Sequence, residues 1–230
     1  MDGVMNKPKI FDDRADQYDQ WFTTPIGQLV RKYEGDLLNE MLKPEPGENI
    51  LDAGCGTGIF TMDLLVAGAI VVGLELSFPM LSQAGKKLAG YPFRMIQGDM
   101  KCLPFNDNKF DKTVSVTAIE FIEDAIGAVN ELFRVTKAGG RIVVATLNSL
   151  SPWAVRRKAS GKDGHPIFKH VRFRSPDEIR TLLSMKPEIK TAIHFQKHDN
   201  PVRTTEIEES GRYEGLETGA FLVACWKKSF

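Results

Sequence analysis

Asp52, Gly54, Gly56, Gly58 and Glu75 carry the plainest chemical signal in this chain. The apolar run Ile50-Leu51 leads into Asp52, and alternating glycines follow. A glycine turn between a strand and a helix lets a ligand lie directly against backbone, because no Cβ blocks its approach. The helix expected after it, from Ile59 to Ala67, adds free N–H groups beside that space. A second apolar run, Ile70-Val71-Val72-Gly73-Leu74, stops at Glu75. A carboxylate at the tip of the second strand, roughly 20 residues after a glycine turn, suits both hydroxyls of a ribose. The expected chemistry is recognition of a nucleoside at the carboxyl edge of a sheet.

The elements that must hold those residues alternate between strand and helix, which predicts a doubly wound, mostly parallel α/β sheet. Strands are expected at Asn49–Ala53, Ile70–Glu75, Phe93–Gln97, Phe110–Val116, Arg141–Leu147, Ile189–Lys197 and Gly219–Lys227. Ile26, Leu29, Val30, Tyr33, Leu37, Leu38, Met41 and Leu42 follow helical spacing, and Pro44 and Pro46-Gly47 end that helix. Ile122, Ile126, Val129, Leu132 and Phe133 mark a second amphipathic helix, closed by Ala138-Gly139-Gly140 before the fifth strand. Asn148–Arg174, long and basic, and Asn200–Gly219, acidic, read as irregular. A long insertion in a compact domain suits a lid or binding loop.

Composition narrows the class. With 230 residues, 42% hydrophobic and 26% charged, the chain fits one globular α/β domain. Its formal net charge of zero gives no general pull toward nucleic acid or an anionic membrane. No apolar run reaches the roughly 20 residues of a membrane span, and Met1–Ile10 lacks a signal-peptide core. Cys55, Cys102 and Cys225 are too few and too scattered for a disulfide framework or a metal site, which favours the cytoplasm.

From about Phe11 to Leu147 the chain resembles the type 11 group of class I S-adenosylmethionine-dependent methyltransferases. Phe11–Asp19 resembles the group's N-terminal cap helix, Asp52–Gly58 its glycine motif, and Gly73–Ser77 its second-strand motif. Gly98-Asp99-Met100 with Leu103-Pro104-Phe105 resembles the adenine-side motif. Phe110-Asp111 begins the fourth-strand motif, and Leu132–Arg141 resembles the post-helix signature, with Ala138 where proline is usual. The resemblance implies a seven-stranded Rossmann-like methyltransferase fold with an N-terminal helical cap. It divides one domain into cap helices (1–43), a cofactor-binding core (44–147), a possible substrate loop (148–174), and a C-terminal helix with the last two strands (175–230). It further implies methyl transfer from S-adenosylmethionine to a small-molecule acceptor, releasing S-adenosylhomocysteine. An aspartate beside the glycines fits that cationic, phosphate-free cofactor better than a dinucleotide, whose pyrophosphate needs a helix N-terminus free of carboxylates.

The resemblance places the cofactor against Asp52, Gly54, Cys55, Gly56, Gly58, Glu75, Leu76, Asp99, Met100 and Thr117. Asp99 would accept from the adenine amine, or cap its own turn. Asp52 would order the loop near the cofactor's amino group, or serve only a structural hydrogen bond. Catalytic candidates are fewer. Glu120 is a general base or a helix-start carboxylate. Tyr18 and Trp21 line a pocket or fill the core. His165 and His170 are loop bases or solvated side chains. The basic stretch Arg156, Arg157, Lys158, Lys169, Arg172 and Arg174 steers an anionic acceptor or forms a solvated face opposite Glu206–Glu217. No metal is expected, since no acidic or histidine cluster has ligand spacing. A nicotinamide oxidoreductase, a catalytically silent cofactor-binding module and a nucleic-acid methyltransferase are the alternatives. The first would need a phosphate site and other glycine spacing. The second would need no acceptor pocket, and the third would use the basic stretch.

Overall fold

A computed structural model describes residues 10–15 and 17–229; positions 1–9 and Asp16 of the expected N-terminal cap lie outside the described residues. The elements run α1 (Pro25–Leu42), β1 (Asn49–Ala53), α2 (Thr61–Val66), β2 (Ile70–Glu75), α3 (Phe78–Lys87), β3 (Phe93–Gln97), β4 (Phe110–Val116), α4 (Ala125–Val135), β5 (Thr136–Leu147), α5 (Pro152–Lys162), α6 (Pro176–Arg180), β6 (Glu188–Ala192), α7 (Pro201–Tyr213) and β7 (Phe221–Lys227). One seven-stranded sheet has the order β3-β2-β1-β4-β5-β7-β6. The β7 strand runs antiparallel to both its neighbours, and the other pairings are parallel.

Helices cover both faces, so the central strands read as continuous apolar runs. Ile50, Val143 and Val223 face α1 and α2, where Leu37, Met41 and Leu64 meet them. Their chain neighbours Leu51, Val144 and Leu222 face α4 and α6, against Val129, Leu132 and Ile179. This period of two fixes register, because a slip of one residue would exchange the faces. The order reverses between β1 and β4, and the crevice above their carboxyl ends is the expected ligand site of such a sheet.

The expected strands β1 to β4 fall where they were read. The others differ for local reasons. The β5 strand starts at Thr136, and Ala138-Gly139-Gly140 lies inside it instead of closing α4. Gly139 has φ +79°, a Cβ on Gly140 would stand 2.3 Å from the Asp111 carbonyl oxygen, and the β4–β5 register shifts beside Phe110. These glycines serve a bulge. The β6 strand stops at Ala192, short of the expected Lys197. Ile193 has φ 65°, and the buried Glu208 carboxylate accepts from the backbone N–H of Ile193 (3.1 Å) and His194 (2.7 Å), taking the donors a longer strand would use.

Both segments expected to be irregular contain helices. Ser151 and Asn200 accept backbone hydrogen bonds at the starts of α5 and α7, each followed by proline in the first turn. The C-terminal part therefore carries α6 and α7 rather than one helix. Among the described residues the N-terminal cap shows two 3-10 turns, Asp12–Arg14 and Tyr18–Thr23, ahead of α1, where a helix over Phe11–Asp19 was expected.

Candidate active site

At the sheet's switch point lies a cleft of about 170 Å³ lined by Asp52, Gly54–Thr57, Glu75, Leu76, Asp99, Met100 and Thr117. Gly54 has φ +79°, and a Cβ there would stand 2.5 Å from the Cβ of Ala118. Glycine is thus required both by conformation and by the close approach of the β1 and β4 loops. Gly58 has a different task. A Cβ on it would strike Leu88 at 2.8 Å, so it lets the loop pack on α3 and does not line the cleft.

The Glu75 carboxylate closes the second strand end. Its Oε2 accepts from the Gly56 N–H at 3.0 Å and its Oε1 from the Ser77 N–H at 2.8 Å. Each oxygen keeps a lone pair for a further donor. Burial pushes this carboxyl upward, against the pull of those backbone N–H groups. Asp52 is buried, lines the cleft and accepts from Thr61 Oγ1 at 2.6 Å; burial raises its pKa to about 6. Asp99 turns back on its own loop, accepting from the Lys101 N–H at 2.9 Å with the Lys101 ammonium 3.4 Å away. Cys55 is buried with its thiol pushed up by burial, so it is no nucleophile. Thr117 holds a left-handed backbone at φ 47°, rare for a β-branched residue, with its N–H donated to the Ala145 carbonyl at 2.9 Å.

Three carboxylates and no Lys, Arg or His line this cleft among the described residues. That donor and acceptor set fits a nucleoside with a cationic end and opposes a diphosphate. The 3-10 turns close over it. Thr57 Oγ1 donates to Asp19 at 2.6 Å, Lys87 pairs with the same carboxylate, and the Phe11 ring packs edge-on against Phe121 at 4.9 Å.

Tyr18, Phe60, Thr117 and Phe121 also line a larger neighbouring cavity of about 630 Å³. Its far wall comes from α1 and α5. Glu120 lies within the 3-10 turn Ile119–Phe121, and Asp124, not Glu120, caps α4. Glu120 is thus the acidic residue in the first turn of a short 3-10 helix and does not cap α4. Its carboxylate is 1% exposed; Oε2 accepts from Thr146 Oγ1 at 3.1 Å, and Oε1 has no partner. Burial raises its pKa to about 7, although the backbone N–H of Glu120, the Thr146 hydroxyl, the Arg174 charge and the backbone N–H of Leu147 favour the ionised form. Arg174 neither steers a ligand nor joins a solvated face. It is buried, and its guanidinium donates to the Ile119 carbonyl at 2.9 Å and the Ile122 carbonyl at 3.3 Å, bracing the Glu120 turn.

The remaining candidates separate cleanly. Burial pushes the Tyr18 phenol up, so it stays protonated at neutral pH and acts as a donor, not a base. Trp21 lines the cavity. His165 also lines it, stacked on Phe168 with centroids 4.4 Å apart. Its Nδ1 accepts from the backbone N–H of Ile167 and Phe168, both at 3.3 Å, so a neutral ring carries its proton on Nε2 and has no free base nitrogen. His170 is exposed and lines neither cavity. Glu34 was not read as a site residue. It is buried on α1 facing the larger cavity, and burial raises its pKa to about 8. Its spacing gave the signal: four residues after Val30 and four before Leu38, it sits on the apolar stripe.

Residues 51–144 match a family described as a methyltransferase domain. A malonyl-[acyl-carrier protein] O-methyltransferase of Pseudescherichia vulneris is 35% identical over 201 residues, covering 78% of this chain and 79% of its own. A demethylmenaquinone methyltransferase of Beutenbergia cavernae is 33% identical over 148 residues, covering 63% and 59%. Several curated relatives are longer than their matched part, which spans 44% to 59% of their lengths. The crystal structure of a SAM-dependent methyltransferase from Thermotoga maritima is 25% identical and superposes with a TM-score of 0.71, covering 96% of this chain and 99% of that one.

Proposed function

This chain belongs to the class I S-adenosylmethionine-dependent methyltransferases of the type 11 group, and on that premise we propose that it methylates a small-molecule acceptor through a nucleophilic O–H or N–H group. The observation that carries the proposal is the carboxylate-lined, cation-free cleft opening into a separate, larger cavity with one unpartnered carboxylate oxygen. Bound there, the cofactor supplies a methyl group on a positively charged sulfur, a leaving group that needs no further activation.

The chain's own residues then have four tasks. Glu75 accepts from the ribose hydroxyls, and Asp99 at the mouth of the cleft takes the adenine side. The backbone at Gly54 and Gly56 admits the ligand without a side-chain barrier. Phe11, Tyr18 and Phe121 separate the reacting region from water. Holding the reactants in line in such a site lowers the barrier by roughly 7–11 kcal/mol. Glu120, which lines the larger cavity and whose buried Oε1 has no hydrogen-bond partner, takes the proton that the nucleophile loses.

Calorimetric titration with S-adenosylhomocysteine gives heat and one site per chain; a flat titration overturns the reading. Glu75→Ala weakens that binding by about 10- to 100-fold, the loss of charge-assisted hydrogen bonds worth roughly 1.5–3 kcal/mol. Unchanged affinity in a variant with native circular dichroism would remove Glu75 from the site. The three cysteines are free thiols, which suits a reducing compartment such as the cytoplasm. No helix among the described residues is long and apolar enough to cross a membrane.

A further inference from the structure

Arg157, on α5, is unlike most arginines of this chain. Arg31 pairs with Asp63, Arg134 with Glu131, Arg180 with Asp177 and Arg212 with Glu40. The Arg157 guanidinium makes no hydrogen bond and no ion pair with the described residues. It is held between two rings, 5.1 Å from the centroid of Trp153 and 5.7 Å from that of Phe168, at the wall of the larger cavity. Burial disfavours its charge, while the carboxyls of Glu34 and Glu120, when ionised, favour it without touching it. A guanidinium presents five donors in a planar fork, and leaving that fork empty beside apolar rings is costly.

The cavity thus holds unmet requirements at Arg157 and at Glu120. Arg157 needs an acceptor, preferably a planar anion that takes both arms of the fork. Glu120 Oε1 needs a donor. The two side chains form no ion pair with each other, so one bound molecule can meet both. Between them the walls are aromatic, with Trp21, Phe22, Phe60 and Phe168 facing the space. Flat rings suit such walls, because offset and edge contacts with aromatic side chains add to apolar burial.

We propose that the methyl acceptor is an aromatic acid whose carboxylate docks on Arg157 and whose ring hydroxyl or amino group donates to Glu120 Oε1. This deepens the methyltransferase reading and rests on it. It assigns the acceptor's orientation: the anionic end points at α5, and the nucleophilic end points at the β4 turn beside the cofactor cleft. Arg157 is a binding and positioning residue, and Glu120 receives the proton.

The test uses the full chain and binding heats, so turnover is not needed. S-adenosylhomocysteine is titrated first. With it saturating, 3-hydroxybenzoate, 4-hydroxybenzoate and 4-aminobenzoate are titrated beside benzoate and phenol. At least one bifunctional probe is expected to bind about ten times more tightly than either single-function control. Arg157→Met then weakens that probe by about 10- to 100-fold while leaving phenol and S-adenosylhomocysteine unchanged. Arg157→Lys, which keeps the charge and the stem, recovers only part of the loss because the fork is gone. If the homocysteine nucleoside binds and the probes bind alike or not at all, this proposal falls alone. Probe binding indifferent to both Arg157 variants overturns it as well. If the nucleoside itself fails to bind, the methyltransferase reading falls with it.

Discussion

Glu120→Gln lowers kcat by about 10²- to 10⁴-fold, the range that general-base assistance supplies. The substitution keeps shape and leaves an oxygen to accept from Thr146 Oγ1, so the turn braced by Arg174 survives. What it removes is the basicity of the unpartnered Oε1. The Kd for S-adenosylhomocysteine stays within about twofold, because Glu120 lies in the acceptor cavity and lines no part of the nucleoside cleft. With a base whose pKa burial has raised to about 7, wild-type kcat climbs with pH and levels off above that value. The groups that face it are Tyr18 from the 3-10 turn, Glu34 from α1, Arg157 from α5 and Arg174 before α6. The variant loses this rising limb. A kcat within about threefold of wild type, with the limb intact, assigns the proton transfer elsewhere.

The second large effect is on stability, at Glu34. Its carboxyl sits near 4.5 when free and at about 8 in the fold, raised by burial against the opposing charges of Arg157 and Arg31. Between those values the folded chain holds a proton that the unfolded chain releases. Stability is therefore full below the lower value, falls as pH rises through the window, and levels off above about 8. At about 1.4 kcal/mol per unit, the site contributes a loss of order 3–5 kcal/mol between pH 5 and 9. Glu34→Gln abolishes that share. Urea unfolding at pH 5.5 shows wild type and variant within about 1 kcal/mol, while at pH 9 the variant is the more stable by about 3 kcal/mol. Parallel pH profiles for the two proteins would mean that Glu34 is already ionised in the fold. Asp52 and Glu120 share the direction of the effect, so a smaller fall with pH persists in the variant.

Three neutralisable carboxyls in one region are unusual for a core that needs only to be stable. Glu34 and Glu120 face the cavity that Arg157 also faces. A buried acid carries a stability cost at high pH that leucine would not, so their presence on the wall of a cavity beside the nucleoside cleft argues for work on a ligand. Perturbed acids also occur in purely structural networks, which is why the Glu120→Gln profile, and not the shift itself, decides the matter.

What the sequence determined by itself is the part whose physics is local. Strands β1 to β4 were legible to the residue, because strands buried on both faces are short apolar runs bounded by turns. The Gly54–Gly58 turn and Glu75 were legible because the turn and the strand tip follow directly from a strand–turn–helix unit. Helices α5 and α7 were missed: a polar, weakly periodic pattern hid the caps at Ser151-Pro152 and Asn200-Pro201 in segments that read as irregular. Only the tertiary structure decided the acceptor side. Tyr18, Glu34, Glu120 and Arg157 come from four separate elements, and no spacing along the chain says that they share a wall. Nor could spacing tell that Gly58 serves α3 packing or that Arg174 braces a turn. Burial and partnering are set by residues distant in sequence, and those two properties separate a solvated carboxylate such as Glu206 from a buried one such as Glu120.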